Sequence, residues 1–515
     1  MNKTLTKTSY LNGLNCEKLL WLESFSPKLI KPPTAFEQNL MDDGHEVGRL
    51  VQDLFPGGKE VSKSITDRNE RIIITNNLLK RGVKAIYEAT FFVDNIEVRI
   101  DALIKVEAGY EIRELKSTKW KSNSSKKDKK FEKHISDVAI QYYVLDKLGI
   151  IITNSFVMAI NGEYIRGNQL ITHSLFKAIN ITEEVLDAQA SIPLKIKIFN
   201  QILADDQHEP NKDIGSYCHV NNQKCGAKKY CWQEQRKIPS YSVFEIFTLG
   251  VKSLDLYQEG ITNIKDIPDD YESTPLQKFY IDHWNNKSLE INHKELNTFI
   301  SELKFPLFHL DFESFNPAIP KYKNSMPYQQ IPFQYSIHIE HNDENCDHRE
   351  FLGDPKADPR EELICQLLSD IKGDSSVIVY SSFEEKRIKE LAKDFPIYSD
   401  ELLSILPRIK DFEEIFKKRY YYSYQLEKKW SIKKVMQLLV PKMESKYTDL
   451  KAAGKVSCGE EAILACKKLF VEDNPNEIEV IRKELFDYCE LDTLATVESL
   501  RAIRAIHLSN KHKGN

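Results

Sequence analysis

Apolar and polar positions change period several times along this chain, and each change marks an element. From 36 to 54, "FEQNLMDDGHEVGRLVQDL" spaces its apolar residues at helical intervals and stops at "FPGG", a turn signal. The next stretch, "EATFFVDNIEVRIDALIKVEAGYEIRELKST" (88–118), alternates and is broken at "DN" and "EAG", which predicts strands joined by hairpin-like turns. A helix over "ISDVAIQYYVLDKLG" and a strand over "IITNSFVMAIN" complete a first α/β unit. Residues 175–215 read as helical, and a mostly helical connector fills 236–300. A second α/β unit opens on the strand "FPLFHLDFESF", runs through "IPFQYSIHIE" and "SSVIVYSS", and closes on the long helix "RKELFDYCELDTLATVESLRAI". The expected organisation is therefore α/β, with domains over 1–235 and 301–515 joined by that connector, and with no solenoid-type repeat.

Composition agrees with folded domains: of 515 residues, 41% are hydrophobic and 29% charged, enough to bury a core and unlike a disordered chain. No segment approaches the roughly 18 consecutive apolar residues of a membrane span. The N-terminal "MNKTLTKTSYLNGLNCEKLLW" lacks an apolar signal core with a cleavage site. A soluble cytoplasmic protein without a membrane partner is expected. The net charge of −5 does not by itself announce a nucleic-acid binder, but the charge is uneven. "KSTKWKSNSSKKDKKFEKH" (116–134) holds eight lysines against two acids. Such a run is either a solvated loop or a phosphate-contacting surface, and it begins at a lysine of chemical interest.

That lysine lies in "EIRELKST". In a strand, Glu114 and Lys116 point to the same side. Alone they could be a surface ion pair worth almost nothing. Asp101, in "VRIDALI" at the end of the preceding strand, changes the picture. Two carboxylates can hold a hard divalent cation, while a lysine positions water and neutralises developing phosphate charge. The order Asp101, Glu114-Leu115-Lys116 and a helix with Gln141, Tyr142 and Tyr143 resembles the RecB-like branch of the PD-(D/E)XK nucleases. The resemblance implies a restriction-endonuclease-like fold, metal binding by Asp101 and Glu114, and catalytic roles for Lys116 and Gln141, with Tyr142 beside them. Relatives often place a metal-binding histidine four residues after a glycine in the first helix. Counting from Gly44 that position is Gly48, which leaves His45 and Glu46 as neighbouring substitutes or as a solvent-facing pair.

Nine cysteines in a cytoplasmic chain argue against structural disulfides. Cys16 and the run "CHVNNQKCGAKKYCW", with Cys218, Cys225 and Cys231, place one cysteine far upstream of three clustered ones. This resembles the iron–sulfur arrangement of RecB-like nucleases of the CRISPR-adaptation and AddB kinds, which implies a structural [4Fe-4S] cluster. The first interval is longer than is common there, and a Zn²⁺ site on the same sulfurs is the rival. Unliganded thiols are the third reading.

In the second unit, "FHLDFESF" sets Asp311 and Glu313 two apart on a strand, "VYSSFEEK" sets Glu384 just after another, and "DYCELD" sets Tyr488 and Asp492 one helical turn apart. This pattern resembles the DEDDy subgroup of ribonuclease-H-like 3′–5′ exonucleases. The resemblance implies divalent-metal binding by Asp311, Glu313, Glu384 and Asp492, with Tyr488 orienting the attacking water. Relatives usually carry Asp at the third position, so the longer Glu384, with Glu385 beside it, departs from the pattern. A stretch at 244–268 looks faintly like a helix–hairpin–helix unit, or else ordinary helical linker.

Together these motifs resemble a bacterial family of unassigned function that joins an iron–sulfur RecB-like nuclease to a DEDDy-type domain. The expectation is a metal-dependent nuclease using Mg²⁺ or Mn²⁺ at two sites on single-stranded or end-containing DNA, in DNA repair or antiphage defence. RNA is an alternative substrate, and a helicase or other nucleic-acid-processing factor is a candidate partner. The rival expectations are one active domain with the other as a clamp, or a catalytically degenerate nucleic-acid-binding scaffold.

Overall fold

A computed structural model describes residues 3–218, 225–246, 249–342, 345–427 and 429–511, and only the backbone of residues 51, 129, 130 and 509–511. Residues 219–224 of the cysteine motif, 247 and 248 of the stretch at 244–268, and the side chains of Lys129 and Lys130 in the lysine run lie outside the described residues. The chain is α/β and divides into two compact units. The first comprises residues 1–237 and 317–328, and the second 238–316 and 329–515. Among the described residues no helix is long and apolar enough to cross a membrane.

The first unit begins with β1 (Leu5–Thr6), α1 (Lys7–Asn15), α2 (Glu17–Phe25) and α3 (Ala35–Leu50). It continues with β2 (Lys59–Glu60), α4 (Arg68–Lys80), β3 (Ala85–Val93), β4 (Ile96–Val106), β5 (Gly109–Trp120) and α5 (Lys129–Lys147). β6 (Ile152–Asn161), α6 (Thr172–Leu175), β7 (Phe176–Asn180), α7 (Thr182–Ala188) and α8 (Ile192–Ala204) complete it. The sheet runs β2-β3-β4-β5-β6-β7, with β1 parallel to β4. Thr6 and Ser9 form a capping box that starts α1 directly after β1, so the helix start is pinned to the sheet. The main core gathers Leu5, Tyr10, Ile100, Ile112, Val138 and Val157 on one face, whereas Val47, Leu115 and Met158 pack on the other.

One local irregularity shapes this sheet. Glu88 has a φ of +56°, uncommon for a side-chain-bearing residue, and it lies across β3–β4 from Asp101, between the pairs Tyr87↔Ala102 and Ala89↔Ile100. There the facing pattern shifts. Tyr87 and Ala102 pack on one core, while Ala89 and Ile100 pack on the other. The strained residue thus sits where a candidate acid does.

The second unit opens with α9 (Lys252–Gln258), α10 (Pro275–Asn286), β8 (Leu289–Ile291) and α11 (His293–Ser301). Its sheet strands are β9 (Leu307–Phe315), β10 (Ile331–Glu340) and β11 (Cys346–Leu352), then, after α12 (Arg360–Asp370), β12 (Val377–Val379). α13 (Phe383–Asp394), α14 (Ser399–Ile405), β13 (Ile409–Asp411), α15 (Glu413–Lys417) and β14 (Tyr421–Ser423) follow. Four helices close the chain: α16 (Ile432–Leu439), α17 (Glu444–Ala452), α18 (Gly459–Leu469) and α19 (Pro475–Lys511). Strand order is β11-β10-β9-β12-β13, antiparallel over the first three and parallel beyond β9; β8 pairs separately with β14. The expected connector is therefore more than a tether, because β8 pairs with β14 in a separate two-stranded ribbon of this unit, and the buried Leu296 and Phe299 belong to its core. The stretch at 244–268 forms one helix, α9, and Ile264–Asp266 is only a single turn. Ile267 is extended before Pro268, which stops a second helix, so the described residues there hold no helix–hairpin–helix pair.

Three histidines form a row across adjacent strands: His309 is opposite His338, and His338 opposite His348. Ser336 and Thr493 link His338 to His348 through hydrogen bonds of 2.7–2.8 Å. Burial, with the neighbouring charges of His348 and His309, pulls His338 down to about 3. In the unfolded chain it protonates near pH 6.5, so only the unfolded state takes up this proton between those values, and stability falls as pH drops through that window. From pH 6.5 to pH 5 the loss from this residue is about 2 kcal/mol. Urea denaturation at pH 7 and pH 5 checks this: His338→Gln is expected to flatten the pH dependence by about one proton, and an unchanged slope contradicts it.

Candidate functional site

Two clusters of acidic side chains occur, one in each unit, and they are compensated in opposite ways. In the first unit, β5 projects Glu114 and Lys116 toward α5 and α1. Glu114 is 1% exposed. Its Oε1 accepts from Lys116 Nζ at 2.8 Å and from Lys7 Nζ at 2.9 Å. Asp137 on α5, equally buried, takes the same two ammonium groups, Lys116 at 2.6 Å and Lys7 at 3.2 Å. Gln141, one turn further along α5, donates to Glu114 Oε2 at 2.8 Å and to Asp137 Oδ1 at 3.2 Å. Its Oε1 is buried without a partner.

Asp101 stands one step beyond the last β4–β5 pair, Ala102↔Arg113, which puts it across from Glu114. Its Oδ2 accepts from the Leu115 amide at 2.8 Å, satisfying a backbone donor where the two strands part. Burial lowers the Lys7 and Lys116 pKa values, but the surrounding Asp137, Glu114 and Asp101 charges outweigh it and raise both. His134 donates or accepts at Thr118 Oγ1, 2.9 Å away, and burial with the Lys116 charge pulls it down to about 4. After Lys116 the β5–β6 register shifts, and the Tyr328 hydroxyl donates to the Ser117 carbonyl.

The other candidates of this unit are placed elsewhere. His45 is 68% exposed beside Asp42, and Glu46 faces Lys321 at 3.5 Å. Their helix, α3, buries Val47 against Leu115, on the sheet face opposite Glu114, so neither side chain joins the acids. Tyr142 packs half-buried on the main core, and Tyr143 donates to Asp94 at 3.0 Å.

The four cysteines are free thiols: Cys16 between α1 and α2, Cys218 ending a short turn, Cys225 in a loop and Cys231 in a helical turn. Burial is the main cause that raises Cys218, Cys225 and Cys231, the last to about 11, and the Cys16 thiolate charge adds to each. The four therefore lie close enough to repel one another as thiolates. Lys18 and Arg236 oppose that repulsion at Cys231. Among the described residues, though, no three of these sulfurs approach within 4.8 Å.

The second cluster sits on the central strand of the other sheet. β9 presents Asp311 and Glu313, and α19 lays Asp492 against them, so that one oxygen from each lies within 4.8 Å of the others. Among the described residues none of the three makes an ion pair within 4.0 Å. Burial, then the Asp492 charge, pushes Asp311 up to about 8; burial and both neighbours raise Glu313. Glu384, in the first turn of α13, is buried outside this trio and raised by burial and then by Asp311. Its Oε2 has no partner. Tyr488 faces Asp492 one turn away, and Tyr447 of α17 donates to Asp492 Oδ1 at 2.5 Å. Lys433 of α16 lies 4.9 Å from both tyrosine rings and donates to the Ser457 carbonyl at 2.6 Å. The Cys489 thiol donates to Asp311 Oδ2 at 3.7 Å.

Motif reading missed Lys7, Asp137, Tyr447, Lys433 and Cys489. Asp137 carries a readable signal, since it precedes Gln141 by four residues on the same helical face. Cys489 lies beside Tyr488 and three residues before Asp492, but a cysteine there has no pattern of its own; Lys7, Lys433 and Tyr447 carry no signal, because each reaches its cluster from an element with no acidic partner of that cluster nearby in sequence.

Residues 308–431 match a domain of unknown function (DUF2779). That span contains Asp311, Glu313 and Glu384, and ends before Lys433, Tyr488 and Asp492. An uncharacterized protein of Ureaplasma parvum is 28% identical over 312 residues, covering 57% of this chain and 44% of its own. An uncharacterized protein of Mycoplasma genitalium is 28% identical over 258 residues, covering 46% and 38%. The chain spans less than half the length of these curated relatives. No solved structure matches.

The contrast in compensation predicts substitutions of opposite sign. Glu114→Gln leaves two buried ammonium groups sharing one carboxylate and is expected to destabilise the metal-free protein by about 3–5 kcal/mol. Asp311→Asn removes a carboxyl that burial and Asp492 keep protonated near pH 7 while the unfolded chain ionises it, and is expected to stabilise the protein at pH 7, by on the order of 2 kcal/mol. Urea denaturation in EDTA reads both; a lower midpoint for both variants contradicts the contrast.

Proposed function

We propose that this protein is a metal-dependent nuclease with two hydrolytic sites, a PD-(D/E)XK-type site in the first unit and a DEDDy-type 3′–5′ exonuclease site in the second. The observation that carries the reading is the trio Asp311, Glu313 and Asp492. Carboxylates from residues some 180 positions apart converge without a cation of their own, an arrangement that costs stability unless a cation fills it. The central position of β9 in a mixed five-stranded sheet supports a ribonuclease-H-like domain.

Asp311, Glu313 and Asp492 fit a hard divalent cation, Mg²⁺ or Mn²⁺, and the orphaned Glu384 Oε2 offers a further oxygen nearby. Such a cation, when bound, supplies a water nucleophile at neutral pH and neutralises charge on the reacting phosphate. The chain supplies the rest. Tyr488, kept protonated by burial and by Asp492, can hold a water by hydrogen bond, and Lys433 places a positive charge behind both tyrosines. In the first unit Asp101, Glu114 and Asp137 do not bring three oxygens within 4.8 Å of one another, so Glu114 with Asp101 or with Asp137 would hold the cation, and Lys116 would face the phosphate.

Cys16, Cys218, Cys225 and Cys231 fit a [4Fe-4S] cluster by donor chemistry. A single Zn²⁺ at about 2.3 Å from the same four sulfurs is the alternative. As-purified protein is expected to be brown with about four irons per chain, and zinc without iron on elemental analysis overturns the assignment.

One observation favours the narrower reading in which the second site alone cuts: the first unit's acids are already paired with two lysines. Labelled single-stranded DNA incubated with Mg²⁺ or Mn²⁺ separates the readings. Asp311→Ala is expected to abolish stepwise 3′ trimming by at least about 100-fold, and Lys116→Ala to abolish the remaining cleavage. Loss with Asp311→Ala alone supports the narrower reading. Cutting untouched by both substitutions defeats the proposal.

A further inference from the structure

We propose that Lys7 is a second cationic residue of the first site, beside Lys116: it holds the place of a divalent cation between Glu114 and Asp137, and turns to the phosphodiester when that cation enters. This rests on the first unit being a metal-dependent nuclease site. The Lys7 ammonium bridges the two carboxylates, 2.9 Å from Glu114 Oε1 and 3.2 Å from Asp137 Oδ1, as a bound cation would. Lys116 bridges the same pair from the other side, at 2.8 and 2.6 Å. The carboxylates are almost fully buried, whereas the two lysine side chains keep about a fifth of their surface exposed, so the ammonium groups form the outward side of the cluster.

Charge and mechanics agree. Glu114 and Asp137 contribute two negative charges, and Lys7 and Lys116 two positive ones, so the four groups are neutral together. A divalent cation added to them leaves an excess of two positive charges, which Asp101 and a phosphate anion would offset. Cation and phosphodiester therefore favour each other's binding. Gln141 Oε1, buried and unpartnered beside both acids, is an acceptor that the lysine-filled arrangement does not use. Lys7 is the first residue of α1, and its backbone is held by the Thr6 cap and by β1 against β4. Its four-carbon stem can carry the ammonium away without moving the helix.

The test measures Mn²⁺ binding by electron paramagnetic resonance, using full-length protein with Asp311→Asn and Asp492→Asn to silence the second site. In that background Lys7→Met is expected to tighten Mn²⁺ binding without DNA by about tenfold. With Ca²⁺ in place of EDTA, so that a cation fills the site, it should also weaken binding of a single-stranded oligonucleotide by severalfold and reduce its salt slope by about 1. Glu114→Gln is expected to weaken Mn²⁺ binding. If Glu114→Gln weakens it and Lys7→Met leaves it unchanged or weaker, the Lys7 role is wrong and the metal site stands. If Glu114→Gln changes nothing, the first-site metal reading itself fails. Should Lys7→Met not fold, acylation of lysines in the parent protein, read by mass spectrometry, decides: Mn²⁺ is expected to raise Lys7 labelling severalfold, and equal labelling overturns the proposal.

Discussion

A carboxylate withdrawn from water needs a cation, and nearly everything of chemical interest in this protein follows from how that need is met. In the first unit the chain meets it internally, with two ammonium groups shared between Glu114 and Asp137. In the second it does not. Asp311, Glu313 and Asp492 crowd together, their protons held more tightly by burial and mutual repulsion, with hydroxyl and thiol donors as their direct partners. The first arrangement is stable when empty. The second stores unfavourable energy that the proposed divalent cation would release.

The scaffolds explain how such costly groups are tolerated. Asp311 and Glu313 occupy the central strand of a sheet whose ladders hold β9 on both sides, and α19 runs across it as one continuous helix. A rigid strand and a rigid helix can oppose three like charges without the backbone yielding. In the first unit the strain is visible in the backbone itself, where Glu88 adopts a left-handed conformation across from Asp101. Asp101 in turn serves the Leu115 amide as the strands separate, which frees the sheet edge that Glu114 and Lys116 face.

Period-two spacing exposed Glu114 with Lys116 and Asp311 with Glu313, and one-turn spacing exposed Tyr488 with Asp492, because each pair lies on a single element. Of the partners from different elements, Asp101 was legible as a second carboxylate on a neighbouring strand, and Gln141 only through resemblance. Lys7, Lys433 and Tyr447 were not legible at all. An isolated lysine or tyrosine in a helix has no local pattern, and its role arises only from the acids it meets after folding. His45 is the converse case, one whose two readings the sequence left open. It sits three residues before the matching position, Gly48, but the buried stripe of α3 is set by Val47, and two residues of helical rotation, about 200°, turn His45 to solvent.

The least obvious link joins the cysteines to the first acids. α1 carries Lys7 at its first residue and ends at Cys16, whose amide caps the helix on Asn12. Nine residues of helix form a rod of about 13 Å. Tyr10 fixes it against Phe199, and Gly13 lets that same ring approach so closely that an added Cβ would lie 2.9 Å away. A rod held at its middle transmits position to both ends. A cluster held at Cys16, as proposed, would therefore also set where the Lys7 ammonium can reach, and would couple the thiols mechanically to the carboxylate pair.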